Sequence, residues 1–198
     1  NGKNVLEGAS PIGKRVGARV FDAKLTLSDN PTVPFRPGSG PCDDEGVPTR
    51  AKQLIDQGTV RGFIYDLQTA GLADTETTGN ARRSQGGLPG PAPGLLFVQP
   101  GETSFDDMIA NIKEGLVVEQ VMGATQGNVL GGDFSGNVLL GFKVENGRIV
   151  GRVKDTMVSG NAFEICSNLA AVGSDARWAG GLFNTPSLCC AQVSVASK

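Results

Sequence analysis

The sequence predicts an α+β domain, with mainly antiparallel sheets built from two duplicated hairpin units and two main helices packed on them. Three observations carry this expectation. A hairpin signature occurs twice: residues 55–66 read IDQGTVRGFIYD and residues 144–155 read VENGRIVGRVKD, at a constant offset of 89 residues. The copies share an acid (Asp56, Glu145), two glycines (Gly58 with Gly147, Gly62 with Gly151) and a closing aspartate (Asp66, Asp155), and each runs on to Gly-Asn-Ala at 79–81 and 160–162. Two further segments carry a helical apolar stripe behind a polar cap. Strand and helix patterns do not alternate, as parallel βαβ units would require.

The duplication is read as spanning about 42–84 and 131–165, a period much longer than solenoids use. Each hairpin is a strand, a tight turn with glycine where positive φ is needed, and a second strand. Asn146-Gly147 is the stronger turn dipeptide, and Gln57-Gly58 fits a turn closed by a glycine bulge. Residues 1–15 are polar and loosely held. Residues 16–27 alternate apolar and polar as a strand does. Pro31, Pro34, Pro37 and Pro41 make 28–41 a stiff loop, because each proline fixes φ.

The first hairpin is expected at 52–66 and a short helix at 67–75. The stretch GGLPGPAPG at 86–94 is read as irregular, and Leu95–Val98 as a short strand. Ser104 and Asp107 form a capping box for a helix whose stripe is Phe105, Met108, Ile109, Ile112 and Leu116, with Gly115 ending it. A strand covers 116–122. The second hairpin has arms at 134–144 and 148–155, with Val138, Leu140, Phe142 and Val144 on one face. Asn161 caps a second helix with stripe Phe163, Cys166, Leu169 and Ala170, closed by Gly173. A loop (174–186) and a final strand (187–196) complete the chain.

The 198 residues suit one domain, or two interlocked repeats sharing a core. Glycine, at 29 residues, is about twice its usual frequency and signals many turns. A net charge of −2 with no basic run excludes an electrostatic nucleic-acid footprint. No apolar run is long enough for a membrane-spanning helix. The chain opens at Asn1 without methionine, which reads as a fragment of a longer protein. Cys189 and Cys190 are adjacent in a predicted strand and point to opposite faces. With Cys42 and Cys166 they make a poor disulfide framework, so a reduced, cytoplasmic protein is expected.

There is no histidine. A Ser-His-Asp or Cys-His unit cannot be assembled from this chain, nor can a metal site with histidine ligands. The cysteines lack a CxxC pair, so buried structural cysteine is expected and no catalytic residue and no metal site are assigned. Asp43-Asp44-Glu45 can bind a cation or a peptide N-terminus; as a turn, the same acids cap backbone N–H groups. Arg82 and Arg83 can clamp a carboxylate or phosphate; alternatively Asn80 caps a turn and the arginines lie on the surface. Gly131-Gly132 near Asp133 matches no phosphate-loop motif. The acids and the arginines flank only the first hairpin. Peptide binding or an interface is therefore predicted at Asp43, Asp44, Glu45, Thr49, Asn80, Arg82 and Arg83. Exposed sheet edges offer a further way to hold an extended peptide.

Ordered landmarks along nearly the whole chain resemble the C-terminal domain of the TldD/PmbA family, whose second member is also called TldE. They are Asp43-Asp44-Glu45-Gly46-Val47-Pro48-Thr49, Gly58 and Gly62, Thr78-Gly79-Asn80-Ala81 and Gly115-Leu116-Val117-Val118. Gly132-Asp133-Phe134-Ser135, Val144-Glu145-Asn146-Gly147, Gly160-Asn161, Val172-Gly173 and Ser174-Asp175 continue the series. The resemblance implies a cytoplasmic peptidase system in which TldD-like and PmbA-like chains pair to cleave unfolded or modified peptides. It also brings the family's label as a modulator of DNA gyrase. The TldD-like chain holds zinc through an upstream HExxxH helix and a cysteine from the loop before the final strand. In this sequence Gly173 to Leu188 contains no cysteine, so the chain is more similar to the PmbA-like, metal-free member. The implied partners are a TldD-like subunit, or a second copy, and an extended peptide. No cofactor is expected in this domain, with zinc in the partner. The alternatives are a parent that binds zinc through its own HExxxH, and a non-enzymatic homodimeric binding module.

Overall fold

The computed structural model describes residues 1–125 and 127–197. In chain order it runs α1 (Gly2–Leu6), β1 (Leu27–Asp29), β2 (Lys52–Asp56), β3 (Thr59–Val60), α2 (Leu67–Leu72), β4 (Ala81–Arg83), β5 (Pro89–Pro91) and β6 (Leu96–Val98). It continues with α3 (Phe105–Ala110), β7 (Glu114–Met122), β8 (Asp133–Glu145), β9 (Arg148–Arg152), β10 (Thr156–Asn161), α4 (Ala162–Ser167) and β11 (Leu169–Val172). The last strands are β12 (Arg177–Ala179), β13 (Phe183–Thr185), β14 (Leu188–Cys190) and β15 (Ser194–Ser197). The chain is α+β and mostly antiparallel, with short helices. It forms two compact units: Asn1–Gln99 with Ala176–Pro186, and Pro100–Asp175 with Ser187–Lys198.

The first unit is built on a six-stranded sheet, ordered β12-β13-β6-β1-β2-β3. All its pairings are antiparallel except β13 with β6. The hairpin β2–β3 pairs Ile55 with Val60 and Asp56 with Thr59. Gln57 and Gly58 between them both have positive φ, 45° and 77°. That is the pattern of a two-residue type I′ turn, in place of the expected bulge. A Cβ on Gly58 would lie 2.2 Å from the Phe21 carbonyl oxygen. The approach is close because residues 18–25 wrap the turn: Val20 and Phe21 donate to Gly58 O, and Gly58 N donates to Leu25 O.

The strand expected at 16–27 therefore does not form; the ladder starts only at Leu27. Asp22 accepts from Lys24 N at 2.9 Å, and Leu25 N donates to Asp22 O. This side-chain turn diverts the backbone from the ladder. Phe21 and Leu25 are buried all the same, with Ile55, Val60, Ile64, Ala70 and Leu95. Each large member of such a core contributes about 1.5–3 kcal/mol. The helix expected at 67–75 is α2, closed by a reciprocal capping box between Asp66 and Thr69. The stretch 86–94, read as irregular, supplies β5, which pairs Gly90 with Arg82 of β4. Its prolines donate no N–H, so it stays in a two-stranded ladder.

In the second unit, β15-β10-β8-β7 form a sheet with β9 added onto β8. The β8–β9 turn repeats the first: Asn146 and Gly147 have φ of 48° and 76°. Val138, Val144, Val158, Leu169, Val172, Met108 and Ile109 are buried. The helix from Ser104 stops at Ala110, short of the expected Gly115. Asn146 N and Gly147 N donate to Lys113 O and Ile112 O, drawing those residues onto the hairpin turn instead. The second helix stops at Ser167, because 169–172 pair with β14, leaving Leu169 buried and Ala170 exposed. The loop expected at 174–186 is the hairpin β12–β13, turned by Gly180 and Gly181 at positive φ. The final strand is two, β14 and β15, parted where Gln192 takes a φ of 67°.

Gly58→Ala combines a positive φ with a backbone clash, and should lose about 2 kcal/mol or more of stability. Gly62→Ala, just past the same hairpin with nothing within 4 Å of its added Cβ, should change stability by less than about 1 kcal/mol. Urea unfolding of the two variants checks the contrast, and equal losses would contradict the turn geometry.

Candidate functional site

The residues singled out above lie in the first unit, around a carboxylate that was not singled out. Asp29, at the end of β1, is fully buried. Its Oδ1 accepts from Gly94 N and Leu95 N, both at 2.9 Å. Its Oδ2 accepts from Lys52 Nζ at 3.1 Å and Asn80 Nδ2 at 2.6 Å. Lys52 Nζ also donates to Asn80 Oδ1 at 2.7 Å, and Asn80 Nδ2 reaches Ala92 O at 3.1 Å. Burial pulls the Lys52 ammonium below the ordinary lysine range, and the Asp29 carboxylate beside it opposes that shift. Among the described residues no buried side-chain nitrogen or oxygen is left without a partner.

This node holds two neighbouring segments in register. Asp43 is buried; its Oδ1 accepts from Glu45 N at 3.0 Å and Val47 N at 2.9 Å, and its Oδ2 from Ala81 N at 2.9 Å. Asp44 N donates to Ala81 O at 3.1 Å, and Asp44 Oδ2 accepts from Arg83 N at 2.7 Å. The acidic loop and β4, far apart in sequence, thus zip together. Glu45 Oε2 accepts from Leu67 N at 2.8 Å, at the start of α2. The Thr49 hydroxyl donates to Gly40 O. Arg82 Nη2 donates to Gly38 O at 2.9 Å.

The seven residues therefore differ in what they offer. Asp43 and Asn80 spend their polar atoms inside the protein and position the loops. Asp44 and Arg83 are exposed, and Glu45, Thr49 and Arg82 are half-buried. Thr49 lines a cleft of about 370 Å³ with Pro31, Thr32, Pro34, Ser39, Gly40 and Pro41. The cleft exists because the proline-rich loop is tied down, with Gly40 N donating to Pro31 O and Ser39 N to Arg36 O. In the second copy, Asn161 caps α4, accepting from Phe163 N at 3.0 Å and Glu164 N at 3.3 Å.

The chain matches, over residues 1–197, the family described as the PmbA/TldA metallopeptidase C-terminal domain, and it belongs to that family. It is 32% identical over 159 residues to a Haemophilus influenzae protein named metalloprotease TldD homolog, covering 80% of this chain and 33% of the relative. It is 31% identical to a metalloprotease of Methanothermobacter thermautotrophicus, covering 87% of this chain and 38% of the relative. The chain thus spans a little over a third of the length of such relatives. A solved Thermotoga maritima protein, described as a candidate modulator of a DNA gyrase, superposes with a TM-score of 0.86 at 33% identity, over 98% of this chain and 44% of that one. TldE from Thermococcus kodakarensis superposes with a TM-score of 0.86 at 27% identity, over 98% of this chain and 45% of its own.

The family's name implies a metal, so the donor set bears on the site. Histidine is absent, and among the described residues no three Cys, Asp or Glu side chains converge as a ligand set would. Asp29, Asp43 and Glu45 all spend oxygens on internal donors. All four cysteines are free. Cys190 is exposed as a residue, yet desolvation of its thiol, aided by the Cys166 and Cys189 thiols, pushes it up to about 11. Burial also pushes the Cys166 thiol up. Among the described residues the donor set does not fit a resident metal.

The two acids Asp43 and Asp44 should separate cleanly on substitution. Asp43→Ala strands three backbone N–H groups and should lose about 2–4 kcal/mol, whereas Asp44→Ala should lose about 1 kcal/mol or less. Denaturant unfolding measures both, and a reversed order would mean that Asp43 does not organise the loop.

Proposed function

We propose that this chain is the C-terminal part of a PmbA/TldE-like subunit, a metal-free scaffold that pairs with a catalytic TldD-like chain and helps enclose the peptide. The substrates are unfolded or modified peptides, and the compartment is the cytoplasm, where free thiols persist. The observation that carries the metal-free reading is the donor set: no histidine, and no three acids or thiols converging among the described residues. The 27% identical TldE structure supports the TldE-like assignment. Peptide contact is assigned to the accessible members of the site, Asp44, Glu45, Thr49, Arg82 and Arg83, with Asp43 and Asn80 holding them in place. The partner is a TldD-like subunit; self-pairing is the competing arrangement.

The relatives named metalloproteases favour a second reading, in which the longer parent binds zinc through an upstream HExxxH. One experiment separates the two. Zinc content is measured on the parent chain, and cleavage of an unfolded peptide is followed for the parent alone, for a TldD-like chain alone and for their mixture. The proposal expects no stoichiometric zinc on the parent, no cleavage by it alone, and faster or altered cleavage in the mixture. Stoichiometric zinc with cleavage by the parent alone establishes the second reading. A mixture no different from the TldD-like chain alone removes the scaffold role.

A further inference from the structure

Phe35 is the residue that the site's architecture does not otherwise use. It is wholly exposed, at 101% of its reference area. Its φ is +58°, a conformation that costs a bulky residue energy and persists only where the surroundings impose it. They do impose it. Pro34 and Pro37 flank it on either side of the dipeptide Phe35-Arg36. Arg36 is fixed with its guanidinium carbon 4.0 Å from the centroid of the Trp178 ring. Trp178 is in turn braced edge-on by Phe97, with centroids 5.4 Å apart. Ser39 Oγ donates to Val33 O, and Arg82 to Gly38 O. A strained aromatic side chain is thus held out in solvent on a loop fastened at both ends.

Two features beside it define what it can meet. Pro34, its neighbour, lines the 370 Å³ cleft with Pro31 and Pro41. The cleft's proline rings and the exposed phenyl ring next to Pro34 in sequence are both apolar surfaces suited to an aromatic or proline side chain. The charged side chains on the loop or bonded to it, Arg36 and Arg82, are both basic. Arg36 and Arg82 rest on a ring and a carbonyl, and neither makes an ion pair among the described residues. No acidic side chain lines the cleft. A guanidinium with N–H groups to spare selects a carboxylate.

We propose that the 31–41 loop is an anchor for an acidic peptide segment. Phe35 and the proline-lined cleft take an aromatic or other apolar side chain, and Arg36 and Arg82 take a flanking carboxylate. The proposal deepens the peptide-binding reading above and rests on it; it names the peptide chemistry and adds Phe35 and Arg36 to the contacts.

The test is direct binding to the full parent chain, without a protease partner. Two fluorescein-labelled peptides are compared by anisotropy: one with phenylalanine between two glutamates, and one with both glutamates changed to glutamine. The acidic peptide should bind about tenfold or more tightly than its glutamine twin, a difference that shrinks as salt is raised. Phe35→Gly should weaken it about tenfold or more while leaving the thermal midpoint unchanged or higher, because glycine accepts positive φ. Equal affinity for the two peptides, or undiminished binding by Phe35→Gly, overturns the proposal. So does a wild-type dimer, seen by light scattering, that Phe35→Gly converts to monomer, since a second copy is then the occupant. Loss of these effects with intact cleavage in the mixture with a TldD-like chain would sink this inference and leave the peptidase reading standing.

Discussion

The carboxylate of Asp29 is the interaction on which the first unit depends. A buried carboxylate costs several kcal/mol of lost hydration unless donors replace the water. Here four donors do so, from Lys52, Asn80, Gly94 and Leu95. They come from β2, from the segment before β4 and from the turn before β6, so the charge is tolerated only when three distant segments meet. A hydrophobic residue at position 29 would avoid the desolvation cost, but nothing would then specify where the 78–81 and 92–95 segments sit. The node converts an electrostatic penalty into a requirement for one arrangement of loops.

From there the order spreads through the backbone. Asn80 is held by Asp29, which places Ala81 where its N–H meets Asp43. Asp43 then bends the acidic loop back on itself, and Glu45 reaches the start of α2. The exposed Asp44 and Arg83 and the half-buried Arg82 are carried on this frame. Their positions follow from buried neighbours more than from contacts of their own. In the other unit Asn161 spends its side chain on a helix cap and on Asp133, so the same Gly-Asn pair serves a different local need.

Much of the frame was legible in the sequence where a local rule decided it. Both hairpin turns announce themselves by a glycine dipeptide, and the caps Ser104 and Asn161 are what their spacing predicts. The rest was decided by contacts that no local pattern reports. Residues 16–27 alternate like a strand yet wrap a turn, because Gly58 offers its carbonyl and Asp22 turns the chain. The helix from Ser104 is cut short by a hairpin some thirty-five residues away. Gly180-Gly181 did carry the signal for β12–β13, and a proline-dominated reading of 86–94 hid β5. Asp29 itself reads in sequence as one more acid before a proline loop. Its role rests on pairings up to 66 residues distant.

The Asp29 and Asp43 carboxylates make these loops part of the core. Native-state hydrogen exchange tests it most directly, at the amides of Leu95 and Ala81, which donate to those carboxylates, against Val60, which donates to Ala18 O beside the hairpin. If the node holds the loops, all three amides open together and their protection factors agree within about tenfold. Exchange at Leu95 and Ala81 about a hundredfold or more faster than at Val60 would mean that the loops open by themselves and that the carboxylates do not tie them to the core.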